Sequence, residues 1–140
     1  MQKILVIDDD ELHRRLLYDV LSARGYEVLL ADRGTQGIDL ARQNRPQLIL
    51  LDIRLPDISG LEVFRALRAV PETSSIPIAA ITALATPGDE RIIRKSGCEA
   101  YMAKPIRLEQ LLKLVDCLLC GDVVRCSEAD RSTSSDLRPR

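Results

Sequence analysis

Apolar residues fall along this chain in two alternating rhythms. Short runs of β-branched residues and leucine, Ile4 to Ile7, Val28 to Ala31, Leu48 to Leu51, Ile78 to Ile81 and Tyr101 to Ala103, read as five strands. The first, third and fourth runs are continuously apolar, which is the pattern of parallel strands covered by helices on both faces. The segments between them carry a helical period. Leu12, Leu16, Leu17, Val20 and Leu21 are expected on one face of a first helix, with Gly25 as its C-terminal stop. A second helix spans about Thr35 to Gln43 before Pro46, and a third carries Leu61, Phe64 and Leu67 after Gly60 and ends before Pro71. A fourth runs from about Gly88 to Lys95, with Gly97 beyond it and only Ile92 and Ile93 as strong anchors. The fifth repeats Leu108, Leu111, Leu112, Val115, Leu118 and Leu119 at helical spacing.

Strict strand and helix alternation with short connections implies an α/β architecture, a (βα)5 doubly wound domain whose crossovers are right-handed. The expected parallel sheet order is 2-1-3-4-5, the flavodoxin-like arrangement. After Cys120 the stretch GDVVRCSEADRSTSSDLRPR has no sustained apolar period. Residues 1–120 are therefore expected to form the domain, and 121–140 a polar, flexible tail. Such a tail is too short for a DNA-binding helix-turn-helix unit or a catalytic module, so any output must come from the surface of the domain.

Composition narrows the function classes. Apolar residues make up 46% and charged residues 29% of the 140 positions, the profile of a globular chain able to bury its own core. Twenty basic and 21 acidic side chains leave a formal charge of −1, so no overall field draws the protein to nucleic acid or an anionic membrane. The N-terminus enters a strand-like stretch at Ile4 without the features of a signal peptide, and a cytoplasmic location is expected. Free thiols are the expected state of Cys98, Cys117, Cys120 and Cys126. Cys117 and Cys120 form a single C-x-x-C, and with His13 the only histidine, helix packing is the reading preferred over a zinc site.

The chemistry lies where the strands end. In open parallel sheets ligands bind beyond the C-terminal ends of the strands, where the winding direction reverses. The first strand runs into Asp8, Asp9, Asp10 and Glu11, the third ends at Asp52, the fourth at Thr82 and the fifth at Lys104. Any one of these alone reads as a solvated turn; together they describe a site. Two carboxylates about 5 Å apart repel by roughly 3 kcal/mol at an effective dielectric near 20, so Asp8, Asp9 and Asp52 need a cation. Lys104 and Mg2+ would supply it, Mg2+ because it binds through a few carboxylate oxygens and leaves positions open for water and phosphate.

The stretches ILVIDDDE, LILLDIRLPDISG, IAAITA and AYMAKPI, in that order and covering about Lys3 to Leu119, resemble the signature of the response-regulator receiver domain of two-component signalling. GDERIIRKSGCEAYMAKPI further resembles the DivK-like single-domain regulators of bacterial cell-cycle control. The resemblance implies that Asp52 is the phosphoacceptor, attacking a phosphohistidine of a sensor histidine kinase or histidine phosphotransfer protein. It implies that Asp9 binds Mg2+ directly, that Asp8 acts mostly through a metal-bound water, and that the Arg54 carbonyl completes the protein ligands. Lys104 and the Thr82 hydroxyl would each hold a phosphate oxygen. Movement of Thr82 would let Tyr101 rotate inward; the alternative is a partly exposed strand tyrosine that never rotates. Arg54 and Leu84 match positions that tune hydrolysis of the aspartyl phosphate, Ala83 is small enough to admit a phosphoryl group, and Pro105 matches a cis peptide.

Other residues are given plainer roles. His13 is expected to face solvent, Asp57 to be a loop acid, Pro56 and Gly60 to shape the loop after Asp52, and Asp10 with Glu11 to favour the start of the first helix. The leading expectation is a switch that carries a phosphoryl group and changes its binding to a downstream protein. An aspartyl-phosphate phosphatase is disfavoured because Arg54 stands where those enzymes carry a second Asp. An unphosphorylated receiver-like interaction module is the remaining alternative, disfavoured because Asp8, Asp9, Asp52, Thr82 and Lys104 are all present.

Overall fold

The computed structural model describes residues 2–83 and 87–120. Five strands, β1 (Lys3–Ile7), β2 (Glu27–Ala31), β3 (Leu48–Asp52), β4 (Ile78–Thr82) and β5 (Ala100–Ala103), alternate with α1 (Glu11–Ala23), α2 (Gly34–Asn44), α3 (Gly60–Ala69), α4 (Pro87–Lys95) and α5 (Leu108–Cys120). The strands form one parallel sheet in the order β2-β1-β3-β4-β5. Every predicted element is present with bounds within a residue or two, and the predicted order is the observed one.

The apolar strands divide by their alternation. Ile4, Val6, Leu48, Leu50, Ala79, Ile81, Ala100 and Met102 point to one face, where they meet Leu17 and Leu21 of α1 and Leu111, Leu114 and Val115 of α5. Leu5, Ile7, Ile49, Leu51 and Ile78 point to the other and pack on Ala41 of α2 and Val63, Phe64 and Leu67 of α3. Fully burying one Leu or Ile side chain contributes about 1.5–3 kcal/mol, so the central strands are fixed by both layers. That rigidity holds the strand ends in register and makes them a platform for a site.

Helix α1 departs from expectation. Leu17 and Leu21 are buried, but Leu12 is 78% and Leu16 43% exposed, so the apolar stripe does not run the length of the helix. The inward positions of the first turn belong instead to His13 and Arg14, which reach back to Asp8. The helix stops as predicted, with Gly25 at a φ of 92°, a left-handed conformation that glycine adopts without penalty. In α4, Ile93 is buried and Ile92 is 56% exposed, so one apolar anchor holds that helix where two were expected. Cys98 and Cys117 are free thiols, as predicted. Leu84, Cys126 and residues 121–140 lie outside the described residues.

Candidate functional site

Four strand ends supply the site, each through the residue at or just past its last ladder position. Asp52 closes β3 and Thr82 closes β4, while Asp8 follows β1 and Lys104 follows β5. The ladder continues through their backbones: the Asp8 amide donates to the Ala31 carbonyl at 3.0 Å, and the Lys104 amide to the Thr82 carbonyl at 2.8 Å. These side chains are therefore held by sheet hydrogen bonds rather than by free loops. The Lys104–Pro105 peptide is cis, as predicted.

Lys104 spans the two acids that sequence reasoning placed together. Its Nζ lies 2.9 Å from Asp52 Oδ2 and 3.4 Å from Asp8 Oδ2. Asp8 and Asp52 are only 2% and 4% exposed, whereas Asp9 is open to solvent. Asp8, Asp9 and Asp52 each offer a carboxylate oxygen, and all three oxygens lie within 4.8 Å of one another. An all-oxygen set this close, with one member exposed, suits a hard divalent cation that keeps part of its water shell, and Mg2+ fits that donor chemistry. Beside it opens a cleft of about 510 Å³ lined by Asp9, Asp52, Arg54, Pro56, Ala83 and Lys104, among others. The small Ala83 leaves that mouth open.

The electrostatics of the two buried acids differ in sign. For Asp8, burial raises the pKa, but hydrogen bonds from His13 and the Asp10 amide, with the charge of Lys104, outweigh it and bring it to about 2. For Asp52, burial is also the largest influence, and the Arg54 amide and Lys104 do not offset it, so its pKa is raised, with the charge of Asp8 adding to the rise. For Lys104 burial works against the charge, yet its contacts with Asp52 and Asp8 win and its pKa goes up. Lys104 is therefore an ammonium at any physiological pH.

The loop after Asp52 is tightly built. The Arg54 amide donates to Asp52 Oδ1 at 3.0 Å, and the Gly60 amide donates to the Ile53 carbonyl at 2.8 Å. A Cβ on Gly60 would come within 2.5 Å of Ile53 Cα and 2.7 Å of the Asp52 carbonyl oxygen, so only glycine lets α3 start this close to the strand end.

One expectation needs correction and two gain content. His13 does not face solvent: its side chain is 14% exposed and its Nδ1 bonds to Asp8 Oδ2. Asp10 is the N-cap of α1, accepting from the Leu12 amide at 3.0 Å, and His13, at the third helical position, reaches back past that cap to Asp8. Tyr101 is 6% exposed among Ile53, Ala80 and Ile93, with the Arg94 guanidinium 5.2 Å above its ring, so it is buried rather than partly exposed as the alternative to a switch role had it. Asp57, read as a loop acid, accepts from the Gly34 and Thr35 amides at 2.8 and 3.0 Å and from the Thr35 hydroxyl at 2.9 Å, tying the loop after β3 to the start of α2. Those donors hold its carboxyl well below the usual carboxylate range.

Comparisons with known proteins meet this geometry. Residues 4–116 match the response regulator receiver domain. The chain is 43% identical over 121 residues to the polar-differentiation response regulator DivK of Brucella anthropi, an alignment covering 86% of this chain and 98% of that protein. DivK of Brucella ovis is 42% identical over the same length and coverage. Among solved structures, the chemotaxis protein CheY4 of Vibrio cholerae superposes with a TM-score of 0.78 at 28% identity, covering 84% of this chain and 98% of that one. The receiver domain of the sensor histidine kinase PA1611 from Pseudomonas aeruginosa, solved with a magnesium ion coordinated in its active site cleft, gives a TM-score of 0.78 at 31% identity, covering 84% and 97%. With its sheet order, its acidic cluster and a family match across most of its length, the chain belongs to the response regulator receiver domain family.

Proposed function

We propose that Asp52 accepts a phosphoryl group from the phosphohistidine of a sensor histidine kinase or histidine phosphotransfer protein, in a Mg2+-dependent reaction, and that the phosphorylated protein signals by changing its binding to a downstream protein. The observation that carries this reading is the bridge of Lys104 between two buried carboxylates, with Asp9 completing a three-oxygen cluster at the mouth of an open cleft.

Asp8, Asp9, Asp52 and the Arg54 carbonyl would hold Mg2+, with Asp8 acting mostly through a bound water. When bound, that ion neutralises charge on the phosphoryl oxygens and aligns the group for in-line transfer. Asp52 then supplies the nucleophile. A carboxylate whose basicity is raised by burial attacks phosphorus, a P–O bond forms as the P–N bond to the donor histidine breaks, and the electron pair leaves with the donor imidazole. Lys104, already at Asp52, moves to a phosphoryl oxygen, and the fully buried Thr82 turns its hydroxyl toward another.

Thr82 and Tyr101 lie on neighbouring strands β4 and β5, so movement at Thr82 is passed to the face that Tyr101 shares with α4. The protein works as a phosphoacceptor switch whose only chemistry is its own phosphorylation and dephosphorylation. Residues 1–120 act as the receiver and 121–140 as an appended polar tail. The working location is cytoplasmic, without direct nucleic-acid binding or membrane insertion; among the described residues no helix is long and apolar enough to cross a membrane.

Incubation with acetyl phosphate and Mg2+ tests the reading. One phosphoryl group per chain, seen by intact mass or a phosphate-affinity gel, is the expected result, absent with EDTA and absent in Asp52→Asn. Failure of both acetyl phosphate and any histidine kinase to label Asp52 would sink it.

A further inference from the structure

The first turn of α1 is wrapped around Asp8. The Asp10 amide donates to Asp8 Oδ1 at 2.9 Å, Arg14 Nη1 to the Asp8 carbonyl at 2.7 Å, and His13 Nδ1 contacts Asp8 Oδ2. An ionised carboxylate only accepts, so Nδ1 carries the proton in this contact. The other ring nitrogen, Nε2, is buried and has no hydrogen-bond partner among the described residues. Among the described residues, Asp8 is therefore the ring's one polar engagement. The same Asp8 Oδ2 lies 3.4 Å from Lys104 Nζ, which is also shared with Asp52. Without the imidazole, that ammonium would be the one side-chain donor left to Asp8 Oδ2 among the described residues and would be drawn from the reacting carboxylate.

We infer that His13 is a positioning residue for the cation site: by donating to Asp8 Oδ2 it fixes that carboxylate for the metal's water shell and leaves Lys104 to Asp52. The inference rests on the reading of Asp8, Asp9 and Asp52 as a cation site. It differs from a packing role for His13 because it requires a donor at that place and not bulk alone.

The probe is Mn2+, whose unbound ion is counted directly by electron paramagnetic resonance, titrated into the full chain as wild type, His13→Ala and His13→Asn. Outer-shell partners of metal-binding groups typically set affinity by 10- to 100-fold, so the alanine variant should bind Mn2+ about tenfold more weakly, while asparagine, whose amide donates from nearly the same place, should stay within about threefold of wild type. In acetyl phosphate reactions the Mg2+ concentration for half-maximal rate should rise for His13→Ala by a similar factor. Unchanged or tighter Mn2+ binding by His13→Ala overturns the inference, and so does a His13→Asn variant as weak as the alanine one, which carries the test if His13→Ala does not fold. Wild type that fails to bind Mn2+ overturns the cation-site reading itself, a result distinct from either.

Discussion

The β1–α1 corner and the β3–α3 loop each present one buried carboxylate at the end of neighbouring strands, and they treat it oppositely. Asp8 and Asp52 are 2% and 4% exposed, so loss of water is much the same for both. Asp8 is nevertheless held down to about 2, while Asp52 is pushed up. The difference lies in donors. Asp8 receives the Asp10 amide, His13 and Lys104; Asp52 receives the Arg54 amide and Lys104 and faces the charge of Asp8. Burial alone therefore does not decide the state of a carboxylate; the balance of donors against desolvation does. The corner is built as a fixed negative charge, the loop as a basic nucleophile that gains from any cation brought to it.

Removing the shared cation should have the largest effect on this contrast. Lys104→Met leaves two buried carboxylates facing each other, and breaking such a buried pair costs about 3 kcal/mol in unfolding free energy at neutral pH. Saturating Mg2+ should narrow that deficit in the variant more than it stabilises wild type, which chemical denaturation with and without EDTA would show. Its acetyl phosphate labelling should also slow by about 100-fold, because one charge partner of the transferring group is gone. A Lys104→Met protein as stable as wild type in EDTA would mean that Asp8 and Asp52 do not repel as described.

A smaller effect follows from Asp8 alone. Its folded pKa of about 2 lies below its ordinary 3.8. Stability from this group is therefore present above about pH 3.8 and is lost as pH falls toward 2, amounting to about 2 kcal/mol when fully lost. Urea unfolding in EDTA across that window should show the decline in wild type and a flatter curve in Asp8→Asn. Parallel curves would assign the decline to other acids.

Much of this was legible before any coordinates. The strands announced themselves because a parallel sheet covered on both faces must be continuously apolar, and Ile4 to Ile7 and Leu48 to Leu51 have no other use. Asp8, Asp52 and Lys104 were placed together by the rule that ligands gather at strand ends, and the structure joins them through Lys104 Nζ. The misreadings all concern side chains whose direction depends on a cap or a neighbouring element. Leu12 and Leu16 repeat at helical spacing yet lie outside, because His13 and Arg14 hold the inward side of that turn. His13 looked like a surface polar residue because its partner, Asp8, lies outside the helix five positions back; Asp57 is the exposed loop acid it was read as, but sequence separation hides its partners, the Gly34 and Thr35 amides over 20 positions away. Periodicity reports which side of an element faces the core; it says little about where a polar side chain finds its donor or acceptor.

The smallest predicted effect is the sharpest test of the contrast, because it has the opposite sign to the others. A raised folded pKa means that Asp52 favours the folded state while it is protonated, below its ordinary 3.8, and loses that advantage as pH rises through the folded value. At neutral pH the ionised Asp52 is thus a liability that the fold tolerates for its chemistry. Asp52→Asn has no charge to desolvate and none to repel Asp8, and its amide oxygen can still accept from the Arg54 amide. In EDTA at neutral pH the variant should be more stable than wild type, with the gain shrinking as the pH falls through the raised folded value toward 3.8, below which wild-type Asp52 is neutral in both states. Adding Mg2+ should then stabilise wild type more than the variant, since the ion relieves in one what substitution has already relieved in the other. A loss of stability in Asp52→Asn at neutral pH without metal would mean that the hydrogen bond to Lys104 outweighs desolvation, and that Asp52 is held as firmly as Asp8.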